Sequence, residues 1–131
     1  MSVFSDIQNA LNTALNNISG LPAIYFPNDL KQPLQDIPYI RPTLLPAASQ
    51  LYTLDDEDLH LGIYQVDIFV PLKKGIKELN DYADAIHDSF RRETFTIGTT
   101  NVFIQQISIS QQQRIEAWWS CYVEVGYLCV A

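Results

Sequence analysis

Few features constrain a chain of this size more than the change in apolar spacing that occurs across Pro71. Before it, Tyr64, Val66, Ile68 and Val70 recur at every second position, and after it Ile76, Leu79, Ala83, Ile86 and Phe90 recur at three- and four-residue steps. The first spacing lines one side of a strand and the second lines one stripe of a helix. A strand that runs straight into a helix through Lys73-Lys74-Gly75 supplies a core by packing those two surfaces together. The opposite side of the strand carries Leu61, Ile63, Gln65, Asp67 and Phe69. That part-polar list predicts a sheet covered fully on one side and only partly on the other.

The flanks supply the rest of a domain. Val3, Phe4, Ile7, Ala10, Leu11, Ala14, Leu15 and Ile18 form a second helical stripe, with Ser2 or Ser5 as N-cap and Gly20 as the stop. Gln8, Asn9, Asn12, Asn16 and Asn17 are its expected solvent face. Six of the seven prolines fall at positions 22, 27, 33, 38, 42 and 46, so the extended pieces expected near 22–26 and 38–45 belong at sheet edges. A loop is expected at 27–36 and a mobile one at 47–59. After the second helix, at about 76–91, a turn at Gly98–Asn101 precedes a strand in which Phe103, Gln105, Ile107 and Ile109 alternate with Val102, Ile104, Gln106 and Ser108. A polar Ser110–Arg114 connection then leads to a last strand over Glu116–Val130, with Trp119, Cys121, Val123, Val125 and Tyr127 on one face. Trp118, Ser120, Tyr122, Glu124 and Leu128 make a second face too aromatic for plain solvent. The expected fold is α+β: an antiparallel, at most mixed, sheet of four to five strands with two main helices packed on it, in one domain over 1–131.

Charge narrows the function. Fifteen acids against eight bases give a net charge of −7. Tight binding to nucleic acid comes from Lys and Arg displacing counterions from phosphates, so this balance disfavours it. Cys121 and Cys129 share one strand and lie too far apart to bridge within it. With no signal-peptide pattern and no apolar run of about 20 residues, they are expected as reduced thiols of a soluble intracellular protein.

The search for chemistry yields two constellations. Asp81, Asp84, His87 and Asp88 project from one side of the second helix, opposite its apolar stripe, which reads as a solvated face. Asp67 and Glu124 sit mid-strand and bring to mind paired carboxylates of metal-dependent hydrolases, but no third ligand or basic cradle accompanies them. The acidic run Asp55, Asp56, Glu57 and Asp58 lacks the alternation and glycine of a calcium loop and reads as a solvated loop. No phosphate loop, nucleophile elbow, Cys-x-x-Cys or His-Glu-x-x-His is present. No cofactor or metal is expected, and an enzyme is disfavoured.

Taken in order, Phe26-Pro27-Asn28, Ile37-Pro38-Tyr39-Ile40-Arg41, Leu44-Leu45-Pro46, Gly62 to Pro71, and Tyr82 to Ile86 with Phe90 resemble the tail terminator proteins of long-tailed bacteriophages. The chain departs from relatives at Pro71-Leu72-Lys73-Lys74-Gly75, where they often have a more glycine-rich turn, and in its Trp118-Trp119 pair. The resemblance implies a virion protein, assembled in the host cytoplasm, that forms a ring, usually of six copies. Such a ring caps the tail tube, ends its polymerisation and meets the head connector, with DNA passing through without tight binding and no membrane involved. Tyr39, Arg41, Gln111, Gln112, Arg114 and Trp118 are the expected contact residues, and Asp55 to Asp58 an acidic channel or loop lining. Another neck or head-completion protein is the alternative within the same class, and a metal-dependent hydrolase using Asp67 and Glu124 the alternative outside it.

Overall fold

A computed structural model describes residues 3–26, 37–47, 50–51, 58–91, 93–97 and 100–130. The long strand expected around Pro71 is β4, Asp58–Pro71, and its partner in length is β8, Trp118–Val130; the two pair antiparallel along nearly their whole extent, from Leu59 opposite Val130 to Pro71 opposite Trp118. On the other side of β4 lies β2, Tyr39–Pro46, also antiparallel. The strand β1, Ala23–Ile24, runs parallel to β2 and covers only Tyr39 and Ile40; among the described residues no strand pairs with the rest of that edge, where Pro42 costs no ladder bond. On the far side of β8 lie β6, Thr100–Ile109, and then β5, Thr94–Ile97. Two short strands extend the ladders: β3, Gln50–Leu51, on β4 and β7, Gln113–Ile115, on β8.

The α+β class and the two helices agree with the sequence reading, but eight strand segments stand where four to five were expected, and the β1–β2 pair makes the sheet mixed. The additional strands are short. Gln50–Leu51 and Gln113–Ile115 are too brief to show alternation, the first inside the expected 47–59 loop and the second overlapping the end of the expected Ser110–Arg114 connection, and β4 begins three residues earlier than Leu61. The expected N-cap at Ser2, the loop at 27–36, the turn residues Gly98 and Thr99, and the acids Asp55, Asp56 and Glu57 lie outside the described residues.

Both helices cover one side of the sheet. α1, Val3–Asn16, buries Ile7, Ala10, Leu11 and Leu15 over β5 and β6, and α2, Ile76–Phe90, buries Leu79, Ala83, Ile86 and Phe90 over β4, β6 and β8. They meet Tyr64, Val66, Ile68 and Val70 of β4 and Val123, Val125 and Tyr127 of β8, all at most 1% exposed. Burying each large side chain of this set stabilises the fold by roughly 1.5–3 kcal/mol before chain entropy is subtracted. Pro71 closes β4, a single 3-10 turn at Leu72–Lys74 follows, and Gly75 opens α2 with φ 87°, a left-handed conformation that disfavours any side chain.

Simple alternation fails in β6. Ile104 pairs with Tyr127 and Gln106 with Gly126, so Gln105 is an extra residue, a β-bulge. The bulge resets the parity. Val102 and Ile104 before it and Ile107 after it all reach the helix-covered core, where strict alternation had placed Ile107 on the opposite face. The expected polar face of α1 is corrected at one position: Asn12 accepts a 2.5 Å hydrogen bond from the buried Tyr64 hydroxyl.

Candidate functional site

The side of the sheet that carries no helix among the described residues is organised in bands, and the strand registers define them. At the Pro71 end, Tyr39, Phe69 and Ser120 stand side by side on β2, β4 and β8. The Tyr39 ring stacks on Phe69 at 4.6 Å and 17°, meets Trp118 edge-on at 5.3 Å and 84°, and meets Tyr25 edge-on at 5.9 Å and 81°. Offset-stacked and edge-to-face pairs at such spacings contribute about 0.5–1.5 kcal/mol each beyond simple burial. The Arg41 guanidinium lies 5.8 Å from the centre of the Tyr39 ring. All four rings remain partly exposed.

Next comes a polar belt. Arg41, Asp67 and Tyr122 form one row across β2, β4 and β8; Thr43, Gln65, Glu124 and Ser108 form the next, reaching β6. Gln65 donates to Asp67 at 3.0 Å, and the Tyr122 backbone N–H donates to the Ser110 hydroxyl at 2.8 Å. Beyond the belt the face turns apolar again: Leu45 beside Ile63, then Leu61, Leu128 and Phe103 abreast. Leu45 and Phe103 are 46% and 43% exposed, far from the burial such side chains reach when covered.

Three expected contact residues, Tyr39, Arg41 and Trp118, thus meet at one end of this face. The other three belong to the β6–β7–β8 connection beside it. Gln112 donates to Asn80 of α2, Arg114 donates from Nε to the Glu116 carbonyl at 3.5 Å, and Gln111 is exposed. Tyr25 and Phe69 complete the aromatic group and were not among the expected contacts. The available signal was Phe69 itself, an aromatic in the part-polar register of β4.

Burial raises the Tyr39 phenol above its ordinary value, Arg41 opposing and Asp67 assisting. Burial, helped by Asp67, pushes the Cys121 thiol up to about 11, so it stays protonated and unreactive at neutral pH. Asp67 and Glu124 stand one register step apart, Asp67 opposite Tyr122 and Glu124 opposite Gln65, within the polar belt. Among the described residues no three His, Cys, Asp or Glu side chains come together as a metal site. Asp81, Asp84 and Asp88 lie on the exposed side of α2, where Asp88 contacts His87 at 3.3 Å. On the helix side, a cleft of about 290 Å³ between the ends of α1 and α2 and β5 is lined by Ala10, Ala14, Phe90, Phe95 and hydroxyl or amide groups, without an ionisable side chain. No described helix is long and apolar enough to cross a membrane.

Comparison with known proteins completes the picture. Together with the fold it defines a bacteriophage virion structural protein. A family model described as phage tail terminator protein matches residues 6–127, and the chain belongs to that family. Two solved structures are similar in fold. One, of a protein without a stated function, gives a TM-score of 0.74 at 19% identity, covering 97% of this chain and 92% of its own. The other is a chain in the virion of a native gene transfer agent particle, with a TM-score of 0.71 at 12% identity, covering 99% of this chain and 98% of that one. At such identities the likeness shows the fold alone. No curated protein matches the sequence.

Proposed function

We propose that the protein is a single-domain tail terminator that assembles into a ring, caps the end of the phage tail tube, halts its polymerisation and joins it to the head connector. The observation that carries this reading is the family match across residues 6–127. The similar chain from a gene transfer agent virion supports a place in a particle. The banded sheet face supports contact with other proteins, because part-exposed rings and aliphatic side chains at both ends of a polar belt gain most when a partner covers them. Tyr39, Arg41 and Trp118, with Gln111, Gln112 and Arg114 beside them, are the contact residues in this reading.

A head-to-tail contact closes a ring when the rotation per subunit fits, and six is the copy number that the family resemblance implies. The stretch Asp55 to Asp58, which runs into the start of β4, lines the channel in this proposal and lets DNA slide by repelling its phosphates. Electron microscopy of the purified protein, alone and mixed with tail tubes, tests the assembly: rings, free or seated on tube ends, are expected. Monomers that ignore the tubes would remove the proposal.

A further inference from the structure

The cleft on the helix side exists because α1 changes the size of its apolar residues where it passes β5. Ile7, Leu11 and Leu15 fill the space beneath the helix, whereas Ala10 and Ala14, one turn apart on the neighbouring line, reach a single carbon from the backbone. Across the gap stand Phe90 and Phe95. Phe90 is fully buried and meets Phe95 at 5.4 Å and 67°, so the partly exposed Phe95 ring is held edge to face against a fixed support. The space left between the alanines and the phenylalanines is about 290 Å³. An apolar cavity of about 150 Å³ already holds benzene, so this one has room for a two-ring aromatic.

The rim selects by charge and by hydrogen bonding. Thr13 and Asn17 at the end of α1, Ser89 of α2 and Thr96 of β5 are neutral polar groups, and among the described residues no carboxylate, amine, guanidinium or imidazole lines the cleft, in a chain that carries 15 acids and eight bases. An ionised ligand would leave water here without a counter-ion, a cost that a neutral one avoids. Both helices also finish at the cleft, α1 at Asn16 and α2 at Phe90. Helix C-termini carry partial negative charge, which repels a carboxylate or phosphate further and favours the positive end of an N–H or O–H group. The Thr96 hydroxyl donates to Asn101 at 2.7 Å, so what it has left to offer a ligand is an acceptor.

We propose that this cleft is a binding site for a small neutral aromatic molecule of about indole size that carries a hydrogen-bond donor. Its ring lies against Phe95, in the space that Ala10 and Ala14 leave open, and its donor meets the polar rim. The site is on the opposite side of the sheet from Tyr39, Arg41 and Trp118, so it stands independently of the ring reading. A ligand seated there touches α1, α2 and β5 together and stabilises the folded chain by mass action.

Indole added to the full chain tests the site, followed by thermal shift and by amide chemical shifts in NMR. Saturable binding with a Kd of about 1 mM or tighter is expected, with shift changes gathered at residues 10–17, 89–90 and 95–96, and indole-3-carboxylate is expected to bind at least ~10-fold more weakly. Ala14→Leu fills the cleft from a half-buried position and is expected to abolish binding. The chemical shifts are read on the unaltered chain, which keeps the site testable if that variant folds poorly. Binding that does not saturate, shift changes centred elsewhere, a carboxylate that binds as well as indole, or a folded Ala14→Leu chain that still binds overturns the proposal. Indole that binds dispersed subunits but not assembled ones marks the cleft as the seat of a neighbouring subunit's side chain, and overturns it equally.

Discussion

Tyr39 on β2 reaches across β4 to meet Trp118 on β8 edge to face at 5.3 Å, with Phe69 of β4 stacked against the same tyrosine. Three strands are joined by aromatic contacts on the side of the sheet that no described helix covers. Trp118→Ala removes an edge of that cluster but nothing from the helix-covered core. The substitution is expected to cost about 0.5–1.5 kcal/mol of stability, read by chemical denaturation, while particle size in light scattering falls to that of a monomer.

Beneath the opposite face, the Tyr64 hydroxyl is buried and donates to Asn12, 52 residues away. Tyr64→Phe removes the donor and leaves Asn12 half-exposed with water as a substitute, so a loss of about 1 kcal/mol is expected. Asn12→Ala strands the buried hydroxyl and costs more, about 1–3 kcal/mol. Urea denaturation of both, and of the double variant, checks the order; a double variant less stable than Asn12→Ala would contradict it.

Gly62 lies opposite Tyr127 in the β4–β8 ladder, and a Cβ there would meet the Tyr127 hydroxyl and lie 2.7 Å from the Leu45 carbonyl oxygen. The backbone oxygen cannot swing aside as a side chain can. Gly62→Ala is expected to destabilise by about 1–3 kcal/mol, and Tyr127→Phe to relieve only part of it. Thermal unfolding of the single and double variants reads both effects.

Folded-state values raised by burial set the alkaline limit. The Tyr82 phenol, half-buried and donating to Glu78, rises to about 12, and the Cys121 thiol to about 11. Both groups are neutral when protonated, and the unfolded chain loses those protons first, at 10.0 and 9.0. Their stabilising contribution is therefore complete below about pH 9 and declines as pH rises through the folded values. Stability measured across pH 8 to 12 should fall with pH, and Cys121 should resist thiol reagents until the protein unfolds. A stability that rises over that range would contradict the burial described.

Neutralising Asp55, Asp56, Glu57 and Asp58 to their amides separates channel lining from assembly. Ring formation is expected to survive, while DNA retention by the cap increases as repulsion is lost. Loss of rings in this variant would place the acids in a subunit contact instead.

Strong periodicity made the centre of the fold legible. The alternating Tyr64 to Val70, the helical Leu79 to Phe90 and the two faces of Trp118 to Cys129 all lie where their spacing puts them, because each is long enough for burial on one face to dominate. The β6 bulge was not legible: Val102, Ile104, Ile107 and Ile109 read equally as two faces until Gln105 is taken out of register. The short strands β3 and β7 owe their form to β4 and β8 alongside them, and three residues or fewer carry no period of their own. Asn12 escaped because an amide that serves one buried hydroxyl looks, in sequence, like its solvated neighbours. Of the surface, Tyr39, Arg41 and Trp118 could be singled out in sequence, but their convergence with Phe69 and Tyr25 depends on strand register, which spacing alone does not provide.

Tail-tube polymerisation followed by electron microscopy, with the protein added at increasing amounts, measures termination directly. Tube lengths are expected to shorten with dose, each arrested end carrying a ring of density, and the Trp118→Ala variant to leave lengths unchanged. Tubes that grow to the same length at every dose, with bare ends, would contradict a terminating role.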